Sequence, residues 1–143
     1  MAKRYHVSRS IAAPADRVWA LLTDAAGYRD WNPTIVSLEG RISAGETIAL
    51  VSTVNPKRTF KLEVTETTAP SRMVWSSGMP LGLFKGERTY RLDERDGATE
   101  FSMTEEYTGL LAGLITKAIP DLTESFSQFA DGLMNSAERN RGS

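Results

Sequence analysis

From about residue 34 to residue 108 the sequence is cut by six turn signals, at Gly40, Gly45, Asn55-Pro56, Pro70-Ser71, Gly78-Met79-Pro80 and Asp96-Gly97. Between them apolar and polar residues mostly alternate with period two. Joining two parallel strands takes a crossover of about a dozen residues or more, usually a helix. These spacings leave no room for one, so the strands must run as an antiparallel meander. They are expected near 34–40, 46–54, 58–67, 72–77, 84–94 and 98–108. A first strand over 3–11 precedes them, with Tyr5, Val7 and Ile11 on one face and His6, Ser8 and Ser10 on the other.

Helical signals flank this meander. Pro14 opens a helix with Asp16 in its first turn and Val18, Trp19, Leu21 and Leu22 on its apolar face. Gly27 ends that region, and Tyr28, Trp31 and Asn32-Pro33 make a second short helix or turn. Near the end, Pro120 and Asp121 start a helix to about 138 on which Leu122, Phe126, Phe129, Leu133 and Ala137 recur at helical spacing. An antiparallel sheet has one apolar face to cover, and this last helix is the only element large enough to cover it. The expected class is α+β: a curved antiparallel sheet of about seven strands, two short helices and one long C-terminal helix over the concave face. A chain of 143 residues suits one domain, 1–143. A curved sheet closing on one helix tends to leave space between them, where a ligand sits.

Composition removes several functions. With a net charge of −1 and both signs interspersed along the chain, neither a nucleic-acid footprint nor a polybasic membrane patch stands out. There is no cysteine and only one histidine, His6, so no metal site, cofactor or catalytic triad is expected. His6 falls on the polar face of its strand and reads as surface. Ser76 and Ser77 have no base beside them. Glu105 and Glu106, adjacent on a strand, point to opposite faces and are no acid–base dyad. No apolar run reaches the length of a membrane span, and the first residues lack a secretory apolar region, which makes a cytoplasmic location the expectation.

Strand parity reaches into the cavity. Asp96-Gly97 signals a two-residue hairpin turn. Counting outward from Arg95 opposite Ala98, Leu92 faces Phe101, Tyr90 faces Met103, Arg88 faces Glu105 and Gly86 faces Tyr107. The first two pairs are apolar, so that face is the concave one, and parity turns Arg88 and Glu105 inward across from each other. Two readings stand: an ion pair that fixes register, or an anchor for a ligand's polar group with Arg88 as donor. Other concave candidates are Phe60, Leu62, Val64, Met73, Trp75 and Phe84, with Phe126, Phe129 and Leu133 from the last helix. Trp19 is expected behind the sheet.

The run from Ile11 through Pro14 to Val18-Trp19, followed by Leu22-Thr23-Asp24 and Trp31-Asn32-Pro33, resembles the opening of the START-like superfamily. The branch it resembles is that of the polyketide cyclase/dehydrase-like (SRPBCC) proteins, which share the fold of the major birch pollen allergen. The segments Phe84-Lys85-Gly86-Glu87-Arg88-Thr89-Tyr90 and Glu105-Glu106-Tyr107-Thr108-Gly109 fit the same pattern. The resemblance implies the helix-grip fold and places Tyr28 and Trp31 near the cavity mouth. Many members carry a histidine where Arg88 stands, so chemistry assigned to that position does not transfer.

The expected function is binding or carriage of a small hydrophobic molecule, such as a lipid, polyketide or aromatic metabolite. The expected ligand-contacting residues are Trp31, Phe60, Trp75, Phe84, Arg88, Tyr90, Met103, Glu105, Tyr107, Phe126, Phe129 and Leu133. A cavity of a few hundred Å³ is expected between Trp75, Phe84, Tyr90, Met103, Phe129 and Leu133. One alternative is a cyclase-like enzyme in which Arg88 with Tyr90 or Tyr107 polarises a carbonyl. Another is an accessory domain acting through protein contacts. Binding leads, because no acid, base and nucleophile converge. The sequence does not set the oligomeric state.

Overall fold

The computed structural model describes residues 3–117 and 121–139. Seven strands form a single antiparallel sheet: β1 (Lys3–Ile11), β2 (Ile35–Glu39), β3 (Thr47–Ser52), β4 (Asn55–Thr68), β5 (Arg72–Met79), β6 (Phe84–Arg95) and β7 (Ala98–Thr108). Their spatial order is β1-β7-β6-β5-β4-β3-β2, a meander in which only β1 returns to pair with the last strand. Between β1 and β2 lie α1 (Ala15–Leu22), a short 3-10 turn (Ala25–Gly27) and α2 (Tyr28–Trp31). After β7 come α3 (Ala112–Thr116) and α4 (Thr123–Arg139). This is the helix-grip arrangement.

Two features differ from expectation, and one expected boundary lies outside the described residues. Pro120, expected to open the last helix, lies outside the described residues; just beyond, the Asp121 carboxylate accepts from the Thr123 amide at 2.9 Å, ahead of the first turn of α4. Asn55-Pro56 is not the turn between β3 and β4. Ser52 pairs with Asn55, leaving Thr53 and Val54 at the tip, and Pro56 falls in an irregular stretch of that ladder where its missing amide is tolerated. The helix α3 carries too few residues to show a periodicity.

The core sits between the concave face and α4. Met73, Trp75, Tyr90, Phe101 and Met103 from the sheet meet Phe129 and Leu133 from the helix, all essentially inaccessible. Each such large side chain contributes about 1.5–3 kcal/mol on burial. Gly132 lets α4 press onto α2, since a Cβ there would stand 2.2 Å from the Trp31 carbonyl oxygen. The helix packs chiefly on β1, and the β3–β4 half of the concave face keeps Leu50, Phe60 and Leu62 only half-buried. Among the described residues no helix is long and apolar enough to cross a membrane.

Candidate functional site

The hairpin that sets the site forms as its turn residues require. Asp96 (φ 54°) and Gly97 (φ 80°) both adopt the left-handed conformation of a type I′ turn, which Asp tolerates and Gly favours. With Arg95 opposite Ala98, the ladder runs without a slip to Leu92–Phe101, Tyr90–Met103, Arg88–Glu105 and Gly86–Tyr107, the register read from the sequence. Arg88 Nε donates to Glu105 Oε1 at 2.8 Å. The second carboxylate oxygen, Oε2, accepts from the Tyr107 hydroxyl. The guanidinium carbon also lies 4.9 Å from the centre of the Phe126 ring, a cation–π contact from α4.

Neighbouring strands extend this pair into a row. Val64, Trp75, Arg88, Glu105 and Tyr5 stand side by side across β4, β5, β6, β7 and β1. The Trp75 Nε1 and Tyr5 hydroxyl of this row are buried without a hydrogen bond, while the Tyr90 hydroxyl, one step deeper, lies against the Arg88 guanidinium. An unsatisfied buried polar group costs about 1–3 kcal/mol and so calls for a partner. The charged pair, although surrounded by protein, keeps 19% (Arg88) and 14% (Glu105) of its side-chain surface accessible. Arg88 and Glu105 thus reach solvent, while Val64, Trp75 and Tyr5 of the same row are buried.

Electrostatics follow from that placement. Burial is the largest single influence and works against the charge on Arg88, but the facing Glu105 carboxylate and the neighbouring Tyr90 phenol together outweigh it and hold the guanidinium pKa above its ordinary value. Burial pushes the Tyr90 phenol up to about 12, with the neighbouring Arg88 pulling the other way. Burial, reinforced by Glu105, raises Tyr107 as well. For both phenols the folded pKa lies above the unfolded value near 10, so their contribution is complete below about pH 10 and is lost as pH rises through the folded values. For Tyr90 this amounts to about 2–3 kcal/mol. Chemical denaturation at stepped pH should show the loss setting in above about pH 10, and Tyr90→Phe should shrink it.

Other expected contacts divide into two groups. In the first, Tyr90, Met103, Phe129 and Leu133 belong to the core. Trp75 meets Tyr90 at 5.0 Å between ring centres, and Tyr90 meets Phe129 at 6.0 Å. Aromatic rings thus meet one another between the walls where a cavity was expected. Tyr28 and Trp31 form α2 and bury against Phe129 at 6.3 and 5.3 Å. In the second group, Phe84 stacks on Tyr107 at 5.8 Å, while half-buried Phe60 carries Arg58 over its ring at 4.8 Å. Phe126, over the Arg88 guanidinium, and Phe84, against Tyr107, are the two that flank the charged pair. Sequence reasoning missed Tyr5 and the orphaned Trp75 nitrogen; the β1–β7 pairing that brings Tyr5 beside Glu105 has no local turn to signal it.

His6 is exposed, with Nδ1 2.8 Å from the Thr104 hydroxyl. Trp19 is half-buried and lines a surface cleft of about 570 Å³ with Asp24, Arg41, Ile42 and Thr67, away from the charged row.

A family model described as polyketide cyclase / dehydrase and lipid transport matches residues 3–138. No curated protein matches the chain. Among solved structures, the Zhui aromatase/cyclase from Streptomyces sp. R1128 is similar over 97% of this chain and 95% of its own, with a TM-score of 0.76 and 19% identity. Norcoclaurine synthase from Thalictrum flavum, in complex with dopamine and hydroxybenzaldehyde, aligns over 100% of this chain and 90% of its own (TM-score 0.72, 16% identity). A START superfamily protein from Mycobacterium smegmatis aligns over 95% and 97% (TM-score 0.71, 16% identity). At these identities the likeness establishes the fold.

Proposed function

The chain belongs to the polyketide cyclase/dehydrase and lipid transport family, and on that premise we propose that it binds a small hydrophobic molecule through the Arg88–Glu105 row. The observation that carries this reading is the row itself. A charged pair, an indole N–H and a phenol hydroxyl stand side by side in an apolar concave face, two of them without partners. A ligand with an apolar body and one polar head suits such a row. Its head, a carboxylate, carbonyl or hydroxyl, meets the accessible Arg88, while Phe84 and Phe126 flank the body. Residues 1–143 act as one binding unit in this reading.

The test is displacement of a fluorescent apolar probe by a fatty acid, the matching alcohol and the matching alkane. The Arg88→Met/Glu105→Leu double variant should keep its affinity for the alkane and lose about tenfold or more for the polar-headed ligands. Equal affinities for all three in both proteins would remove the anchor role. Failure of every ligand to displace the probe would turn the reading toward an accessory domain acting through protein contacts.

One observation favours a second reading, a cyclase-like enzyme. The Tyr90 phenol lies beside the Arg88 guanidinium in an apolar setting, a cation and a proton donor placed to polarise one carbonyl. Turnover of a poly-β-carbonyl substrate, lost in Arg88→Met, distinguishes this reading from carriage.

A further inference from the structure

Apolar side chains that water should have driven inward collect at one end of the grip. Leu81, Leu110 and Leu114 are 92%, 84% and 70% exposed, and Met79 beside them is also exposed. Single exposed leucines are ordinary on a protein surface, but a cluster is not. These belong to one place. The Leu110 amide donates to the Gly82 carbonyl at 3.3 Å and the Leu111 amide to the Leu83 carbonyl at 2.8 Å, pinning the β5–β6 turn against the segment that leads into α3.

Leu81 adds a second, independent observation. Its φ is 62°, and Gly82 beside it has φ 69°. A residue with a Cβ is strained in that region, which Asn or Asp enters far more readily than Leu. The fold therefore gives up stability to hold a leucine at the outermost point of a turn, and such a cost marks a functional demand.

Charge completes the pattern. Meander topology carries the β3–β4, β5–β6 and β7–α3 connections to the same end of the sheet. Residues 53–60, 79–86 and 109–117 contain Lys57, Arg58, Lys85 and Lys117 and not one acidic residue, in a chain whose net charge is −1. Of these four, only Lys85 is engaged in an ion pair among the described residues, with Glu87 at 3.3 Å.

We infer that this end of the molecule docks on an anionic lipid surface, with Leu81, Leu110 and Leu114 entering the acyl boundary and the basic side chains lying at head-group level. Protruding leucine tips penetrate a fluid layer, whereas a protein partner would be met by a groove or a flat face. Basic residues around the tips supply the attraction that draws such an element to anionic lipid. The inference does not depend on what the Arg88–Glu105 row binds.

Sedimentation with vesicles of phosphatidylcholine, with and without phosphatidylglycerol, tests it. The protein should sediment with the anionic vesicles, less with the neutral ones, and less as salt is raised. Replacing one leucine by a polar residue should weaken binding about tenfold, and Leu81→Asn/Leu110→Ser/Leu114→Ser should abolish it while probe binding in solution is unchanged. Leu81→Asn alone should raise the denaturation midpoint while lowering vesicle affinity, two readouts that a packing role would move together. The inference is overturned if the triple variant sediments like the wild type, or if Leu81→Asn lowers stability. It is equally overturned if anionic vesicles leave the wild type in solution while it self-associates through these leucines, which would make their partner a second copy.

Discussion

Replacing Glu105 with glutamine should destabilise the protein by about 3 kcal/mol, near the low end of the range for breaking a buried ion pair. The change keeps the shape and removes the charge that offsets Arg88, whose guanidinium is surrounded by protein and held at 2.8 Å. The low end applies because 19% of the Arg88 side chain and 14% of Glu105 still reach solvent, which screens part of the loss. Arg88→Met should cost a similar amount, although Glu105 keeps the Tyr107 hydroxyl as a donor. The Arg88→Met/Glu105→Leu double variant should cost less than either single change, since it leaves no unpaired charge. Urea denaturation of the three variants closes the cycle. Single-variant losses under about 0.5 kcal/mol would mean that solvent, not the partner, satisfies each charge.

That pair was legible in the sequence because a hairpin is a local object. Asp96-Gly97 fixes the turn, the turn fixes the register, and parity carries the face outward to Arg88 and Glu105. Period-two patterning likewise revealed the meander, and the 3.6-residue recurrence of Phe126, Phe129 and Leu133 revealed the covering helix. What resisted was everything that depends on volume or on distant chain meeting distant chain. Alternation shows that Tyr90, Met103 and Phe129 face inward, but not whether their rings touch or leave space. Tyr5 joins the row only through the β1–β7 ladder, between the two ends of the meander. Charges that look interspersed along the chain are sorted by topology, which brings three acid-free connections to one end. Asn55-Pro56 misled because proline is tolerated wherever a ladder is irregular, as well as in turns.

Phe129→Ala tests whether the deep half of the concave face is core or compliant pocket, and a loss of about 3–5 kcal/mol is expected. Phe129 is the ring on which four others converge, with Tyr28 at 6.3 Å, Trp31 at 5.3 Å, Tyr90 at 6.0 Å and Phe101 at 6.4 Å. Removing it takes away both its transfer free energy and the contacts of those four rings. The four are held by three separate elements (α2, β6 and β7), so they cannot all move in to fill the gap. A dry cavity of aromatic size should remain, and such cavities take up small apolar molecules. Benzene added to the variant should therefore raise its denaturation midpoint by mass action while leaving the wild type unaffected. The opposite pattern is equally readable. If the wild type is stabilised by benzene and Phe129→Ala costs less than about 1.5 kcal/mol, the rings already yield, and the ligand reaches past Arg88 to Tyr90 and Phe129.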